Sequence, residues 1–443
     1  MTPTGYDNVT AAIAPVRIDR LLGQIEAIEG GAVRMSGLSG HAAIGDRVRL
    51  GSTGRSCEGE IVSADGKMLS AIPDGSITGL RPGDPVTLLG PLSISPDAGW
   101  IGRVVDPRGR PLDGRPLLPG LTAQSLTCAA PDAVHRRGLG ARVQTGLRAM
   151  NTLLPLVRGQ RIGLFAGSGV GKSTLLGTLA RRIEADVVVF AMIGERGREV
   201  RDFVSRVLGP DGMAHTVVVA ATADAPASSR ARCLPAALTV AEAFRDEGKH
   251  VLLLADSITR HAEAHRQVAA VRGEAPCLGG YPASMATELA SLCERSGPGE
   301  EGQGDITAVF TVLVAGSDME GPVADALRGV LDGHIVLDRA IAERGRFPAI
   351  DLVRSVSRSL PDAAGPHENT LIQEARRLIG AYEKAEMMIQ AGLYAPGSDR
   401  TVDAAIQAWP KLDAFIGQME SGSIDESFAA LARCLSRRVE ERV

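Results

Sequence analysis

The rhythm of apolar and polar positions changes twice along the 443-residue chain. Between residues 24 and 89, apolar runs of four or five residues recur at 24–28, 32–35, 47–50, 59–63, 68–72 and 85–89. Gly30-Gly31, Asp65-Gly66, Asp74-Gly75 and Arg81-Pro-Gly-Asp punctuate them. Short strands at this spacing predict a small antiparallel β-barrel over residues 23–95. Ahead of it, segment 1–22 carries an imperfect helical stripe of Ile13, Val16, Ile18, Leu21 and Leu22, interrupted by Pro15. From 96 to 365 the pattern becomes α/β. Apolar strands at 161–165, 187–193, 216–221, 250–255, 307–314 and 335–337 are separated by links long enough for crossover helices. That alternation predicts a parallel, helix-covered sheet whose ligands bind at the carboxyl ends of the strands. From 366 to 443 the period is helical. Leu371, Ala375, Leu378, Ile379 and Tyr382 share one face, as do Phe428, Leu431, Leu435 and Val439. The closing run Arg437-Arg-Val-Glu-Glu-Arg reads as a solvated helix face.

Composition narrows the class. With 44% hydrophobic and 23% charged residues the chain is globular, and with only 3% aromatics its cores must be built from Val, Leu, Ile and Ala. A net charge of −4 argues against a general polyanion binder and hence against nucleic acid as partner. The six cysteines are scattered with no CxxC pair, which fits reduced thiols in a cytosol. No apolar run reaches the length of a membrane span, and the first residues lack a basic-then-apolar signal pattern.

One motif carries most of the chemistry. Ala166, Gly167, Ser168, Gly169, Val170, Gly171, Lys172, Ser173 and Thr174 follow directly on one expected strand and open an apolar helix. Glycines in such a loop let backbone N–H groups turn inward around phosphate oxygens, and the helix N-terminus adds partial positive charge. Lys172 is expected to reach the β- and γ-phosphates and Ser173 to ligate Mg²⁺. Alanine stands at 166 where the general motif has glycine. The strand at 187–193 runs into Gly194-Glu195-Arg196-Gly197, which puts a charged pair beside the phosphate site. Glu195 is the candidate general base for an attacking water, and Arg196 would contact the γ-phosphate or hold Glu195. The strand at 250–255 ends in Asp256, a candidate Mg²⁺ residue, and Arg260 one turn later points towards the same cleft. His261 and His265 flank Glu263 at a four-residue spacing, but the pattern is not HExxH and reads as a helix surface.

Together these stretches resemble the flagellar protein-export ATPase family, relatives of the virulence type III secretion ATPases and of the catalytic subunit of rotary ATP synthases. The resemblance spans nearly the whole chain. It is carried by IGRVVDPRGRPLDG (101–114), FAGSGVGKSTL (165–175), IGERGRE (193–199), ADSITR (255–260), DGHIVLDR (332–339), RFPAID (346–351) and SVSR (355–358). Alanine at the head of the phosphate loop is that family's habit. The resemblance implies a RecA-like P-loop ATPase core, an N-terminal β-barrel and a C-terminal helical domain. It implies ATP and Mg²⁺ as the bound nucleotide and metal, and a homohexamer with nucleotide at the subunit interfaces. Arg358 then looks like an arginine finger inserted into a neighbour's site, and Phe347 and Tyr394 match positions around the adenine. One stretch departs, since Gly279 and Ala283 stand where relatives often carry arginine and proline.

The function implied is ATP hydrolysis coupled to flagellar protein export at the cytoplasmic face of the inner membrane, with peripheral association only. Expected partners are export-gate membrane proteins, chaperone–substrate complexes, and a stator-like negative regulator docking on segment 1–22. A virulence secretion ATPase shares every catalytic motif. The stretches 354–361 and 316–319 favour the flagellar branch. A rotary synthase subunit matches less closely. An RNA-translocating ring helicase would need aromatic stacking residues in the barrel, and residues 1–99 hold only Tyr6. A non-catalytic ring subunit would lack the general base, whereas Glu195 is present.

Overall fold

The computed structural model describes residues 20–52, 54–314, 319–420 and 422–436, together with positions 7, 9, 10 and 13. Most of segment 1–22, positions 316–318 and the terminal run beyond 436 lie outside the described residues. Six strands form the N-terminal unit: β1 (Leu22–Glu29), β2 (Ala32–Ser36), β3 (Asp46–Ser52), β4 (Arg55–Asp65), β5 (Met68–Pro73) and β6 (Pro85–Pro91). They close into an antiparallel barrel in the order β1-β2-β5-β4-β3-β6. Alternate residues face inward, as the two-residue period of a strand requires. Ile25, Val33, Met35, Val48, Leu50, Ile61, Leu69 and Val86 fill the interior.

The second unit is a twisted sheet of β7 (Val104–Val105), β8 (Arg161–Ala166), β9 (Val187–Glu195), β10 (Thr216–Thr222), β11 (His250–Asp256), β12 (Asp305–Leu313), β13 (Gly333–Leu337) and β14 (Ile350–Ser357). Their order is β14-β13-β8-β12-β11-β9-β10-β7. All these pairs are parallel except β13 with β14, and the short strand Gly297–Pro298 also runs antiparallel to β12. The core of the sheet is parallel, as expected, and only its edge is mixed. The central strands are buried up to their carboxyl ends, where Glu195 and Thr222 are partly exposed, and read as largely apolar runs. At the edge, β14 is only half covered and carries Asp351, Arg354, Ser355 and Ser357, so no apolar run marks it.

The helices of this unit that bear on the site and its cores are α1 (Lys172–Arg182), α2 (Gly197–Asp202), α3 (Ala227–Asp246), α4 (Ile258–Val271), α5 (Ser284–Arg295), α6 (Pro322–Val330) and α7 (Arg339–Glu343). The C-terminal unit follows with α8 (Pro366–Gln390), α9 (Arg400–Ile416) and α10 (Ile424–Leu435). Each face of the sheet has its own core. On one, Leu164, Phe190, Leu252 and Leu254 meet Leu176 and Leu179 of α1 and, beyond them, Ile372, Leu378, Phe415 and Leu431 of the C-terminal helices. On the other, Phe165, Val189, Leu253 and Phe310 meet Leu234, Leu238 and Phe244 of α3 and Leu289 of α5.

Ionic contacts tie the barrel to the sheet unit. Arg232 of α3 forks onto Asp74, with both contacts at 3.0 Å, and also pairs with Glu60. Arg108, from the 101–114 motif, reaches Glu58 and Asp74. Among the described residues, no helix is long and apolar enough to cross a membrane.

Candidate active site at the carboxyl edge of the sheet

Strand β8 delivers the chain into the glycine-rich loop with Ala166 fully buried beneath it. Gly169 and Gly171 have φ of +76° and +87°, a region that L side chains rarely enter. Gly171 caps α1 without a side-chain hydrogen bond, so the first N–H groups of that helix remain available to an anion. Ser173 and Thr174 occupy the exposed first turn. Lys172 is the first residue of α1, and its ammonium donates to Asp256 Oδ1.

The strand order explains why these groups meet. Crossing the sheet from the loop strand, β8 is followed by β12, then β11, then β9. Asp256 is the last residue of β11 and is 5% exposed. Its Oδ1 also accepts a hydrogen bond from Thr311 Oγ1 of β12 at 2.7 Å. Two donors thus fix the carboxylate in the orientation that faces the loop. Thr311 carries no motif in the sequence. It is 55 residues from Asp256 and is brought there only by the pairing of β11 with β12.

Glu195 ends β9, two residues beyond the strand read from the apolar run. The pairing of β9 with β10 shifts register between Ile193 and Glu195, with Gly194 at φ +68°. Such a bulge redirects a side chain at the strand's end. Glycine suits position 194 because of that positive φ, and a Cβ there would also crowd Arg260 Cβ at 3.2 Å. Burial, helped by the neighbouring Glu199 carboxyl and by Asp256 and opposed by Lys172, pushes the Glu195 carboxyl up to about 7.

The two arginines expected beside Glu195 take other partners. Arg196 is exposed and pairs with Glu199 at 3.8 Å, while Arg260 pairs with Glu263 at 3.3 Å. Phe347 is 52% exposed, and a Cβ built on Gly171 would come within 3.2 Å of its ring. With Ser168, Gly169, Arg339, Ala342 and Glu343, Phe347 lines a pocket of about 370 Å³ beside the loop. Tyr394 is not among those lining residues. Its phenol donates to Asp403 Oδ1 at 3.0 Å in the turn between α8 and α9. Arg358 lies at the opposite end of the sheet. Its amide donates to Asp332 O at 2.9 Å, and the Asp332 amide in turn bonds Arg161 O at the start of β8. Five residue steps at ~3.3 Å each place Arg358 roughly 17 Å along the strand direction from its own loop.

These elements match known proteins along nearly the whole chain. The nucleotide-binding domain of the ATP synthase alpha/beta family fits residues 146–357, and the type III secretion EscN ATPase C-terminal domain fits residues 364–433. The flagellum-specific ATP synthase of Caulobacter vibrioides is 42% identical over 95% of this chain and 97% of its own. This chain belongs to the flagellum-specific ATP synthase family. The relative from Salmonella typhimurium is 40% identical over 97% of this chain and 96% of its own. Among solved structures, the assembled ATPase EscN of the enteropathogenic E. coli type III secretion system superposes with a TM-score of 0.87 at 35% identity, covering 94% of this chain and 100% of that one. EscN in complex with its central stalk EscO gives 0.85 at 36% identity with the same coverage.

One expectation for this flagellum-specific ATP synthase family member is corrected outright. His261 does not lie on a helix surface: it is fully buried, and its two ring nitrogens have no hydrogen-bond partner. Burial drives its imidazole down to about 3, so it is neutral. His265 is partly buried and bonds Ser284 Oγ at 2.8 Å. Helix α4 is covered by α3, α5 and the sheet, so the face that looks polar in sequence is enclosed. The departing loop also has a local cause for glycine. Gly279 sits at φ +63°, and a Cβ there would meet Pro322 at 2.6 Å.

Proposed function

We propose that this protein hydrolyses ATP as a ring of six identical subunits, each site shared between two neighbours, and that hydrolysis drives flagellar protein export from the cytoplasmic face of the inner membrane. The observation that carries this reading is the division of the candidate residues between two ends of one sheet. Lys172, Ser173, Glu195 and Asp256 gather at the carboxyl edge, whereas Arg358 stands at the amino edge and cannot reach its own loop. A closed head-to-tail ring is the arrangement that brings one subunit's Arg358 to another's loop. The assembled state named for the EscN structure supports this.

Phosphate oxygens arriving at the open N-terminus of α1 would compete with Asp256 for the Lys172 ammonium. Ser173 and Asp256 offer hard oxygen donors of the kind Mg²⁺ takes. Among the described residues no cluster of three or more His, Cys, Asp or Glu forms a cage of its own, which suits an ion that arrives with the nucleotide. Bound there, Mg²⁺ would neutralise charge on the phosphate oxygens. Freed from Lys172, Asp256 stays oriented by Thr311. Glu195 takes the proton of the attacking water, and its raised pKa makes it a better acceptor at neutral pH than an ordinary carboxylate. Arg196 and Arg260, both in solvent-accessible ion pairs with residues three positions on, are available to turn towards the γ-phosphate. Phe347 stacks on the adenine, with Tyr394 as a second aromatic from the C-terminal unit.

The partners proposed are export-gate membrane proteins, chaperone–substrate complexes and a stator-like regulator on segment 1–22. The flagellar branch is favoured over virulence secretion because the curated relatives at about 40% identity are flagellar. ATPase activity measured against protein concentration tests the shared site, since specific activity should rise steeply as rings form. A specific activity independent of dilution would contradict it. Deleting the gene should abolish motility. Motile cells that lose effector secretion would move the protein to the virulence branch.

A further inference from the structure

The residues that carry Phe347 are fastened to the C-terminal helices as well as to the edge strand β14. Arg346, directly before the ring, is 10% exposed at its side chain, and its Nε lies 2.9 Å from Asp413 Oδ1 near the end of α9. Its other nitrogens donate to Pro348 O at 3.3 Å and Ile350 O at 2.9 Å, closing the chain around Phe347 into a tight loop. Gly417, just past α9, abuts the same loop, and a Cβ there would stand 3.3 Å from Phe347 O and 3.5 Å from Arg346 Cγ. On the other side Arg344 pairs with Glu386 of α8 at 2.8 Å. Two helices of the C-terminal unit therefore grip residues 344–346, immediately ahead of a ring that is itself half exposed in the pocket beside Gly171.

We propose that Arg346 is a positioning residue for nucleotide binding. Anchored on Asp413, it sets the place of the Phe347 ring, so that the placement of the C-terminal helices tunes affinity for the base end of the nucleotide. This rests on the reading of the pocket as an ATP site. A guanidinium suits the task because its planar fork donates to two backbone carbonyls while its charge pairs with the Asp413 carboxylate, which an ammonium cannot do with fixed geometry. The phosphate end is held by separate elements, β8, α1 and β11. Loosening the Arg346 anchor therefore acts on one end of the ligand only.

The test uses the full-length ring and the variants Asp413→Asn and Arg346→Lys. Asp413→Asn keeps the size of the side chain and removes its charge. The expected result is a KM for ATP about 3- to 10-fold higher, with kcat within about twofold, since a tenfold change in affinity is only part of what stacking of one base supplies. Inhibition constants locate the defect. ADP should inhibit the variants more weakly by the same factor, while pyrophosphate, which lacks the base, inhibits them as it does the wild type. A general structural defect would weaken both. Variants with wild-type KM and wild-type ADP inhibition overturn the proposal, and so does an equal loss for ADP and pyrophosphate. A wild-type protein without ATP turnover would instead refute the nucleotide reading itself.

Discussion

Replacing Glu195 with glutamine is the sharpest probe of the chemistry. Glutamine has the same shape but neither accepts a proton nor carries charge. Glu195 sits at the end of β9, where burial, Glu199 and Asp256 hold its carboxyl up to about 7. A general base of this kind contributes ~10² to 10⁴ in rate, so turnover should fall at least about 100-fold. Nucleotide binding should not weaken, because the substitution removes a negative charge from beside a polyanion. Stability has a distinctive pH signature. A folded-state pKa raised above the unfolded value of 4.5 means the ionised form is disfavoured by the fold. Its stabilising contribution is therefore full at pH below about 4.5 and is lost as pH rises through 7. Glu195→Gln should accordingly melt at a higher temperature than wild type at pH 8, and without that advantage at pH 4.5. Phosphate release in single-turnover experiments, binding of a fluorescent ATP analogue and melting curves at the two pH values give the three readouts. Turnover within about threefold of wild type, with binding intact, would refute the assignment of Glu195 as the base.

Other outcomes follow from the same geometry. The kcat/KM of the wild type should rise with pH through a midpoint near 7, and Glu199→Gln should move that midpoint downward by removing a cause of the shift. Thr311→Val should lower kcat about tenfold while costing about 1.5–3 kcal/mol of stability, the range for a lost hydrogen bond to a charged group, in steady-state assays and denaturant melts. Gly171→Ala should abolish detectable nucleotide binding in equilibrium titration, because a residue with a Cβ is strained at φ +87° and the loop must leave that conformation; the added Cβ would also crowd the Phe347 ring at 3.2 Å.

Much of the architecture is local and therefore legible. The barrel strands begin and end within a few residues of the expected positions because alternation and Gly-containing turns act over short distances. The phosphate loop and Asp256 are marked by strands and helix starts adjacent to them in sequence. What escaped reading depends on neighbours remote in the chain. The role of Thr311 comes from strand order, and nothing around it in sequence signals a partner. Strand β14 hides behind polar residues whose burial is balanced elsewhere: Ser355 Oγ donates to Asp351 O, and Ser357 Oγ donates to Pro155 O at 2.7 Å. His261 looked solvated because Glu263 and His265 flank it, yet tertiary packing encloses its face of α4. Arg346 sits in a motif noted for Phe347, but its partner Asp413 lies in a different unit of the chain.

If each site is built by two subunits, two inactive proteins mixed together should restore one another. Lys172→Ala destroys the loop half and leaves Arg358 intact. Arg358→Ala does the reverse. In rings assembled from equal amounts of both, an interface is complete when an intact loop faces an intact Arg358, which random assembly gives for about one interface in four. The mixture should recover roughly a quarter of wild-type ATP turnover while each variant alone is nearly inactive. A mixture no more active than its components, in rings shown by differential tagging to contain both, would contradict it.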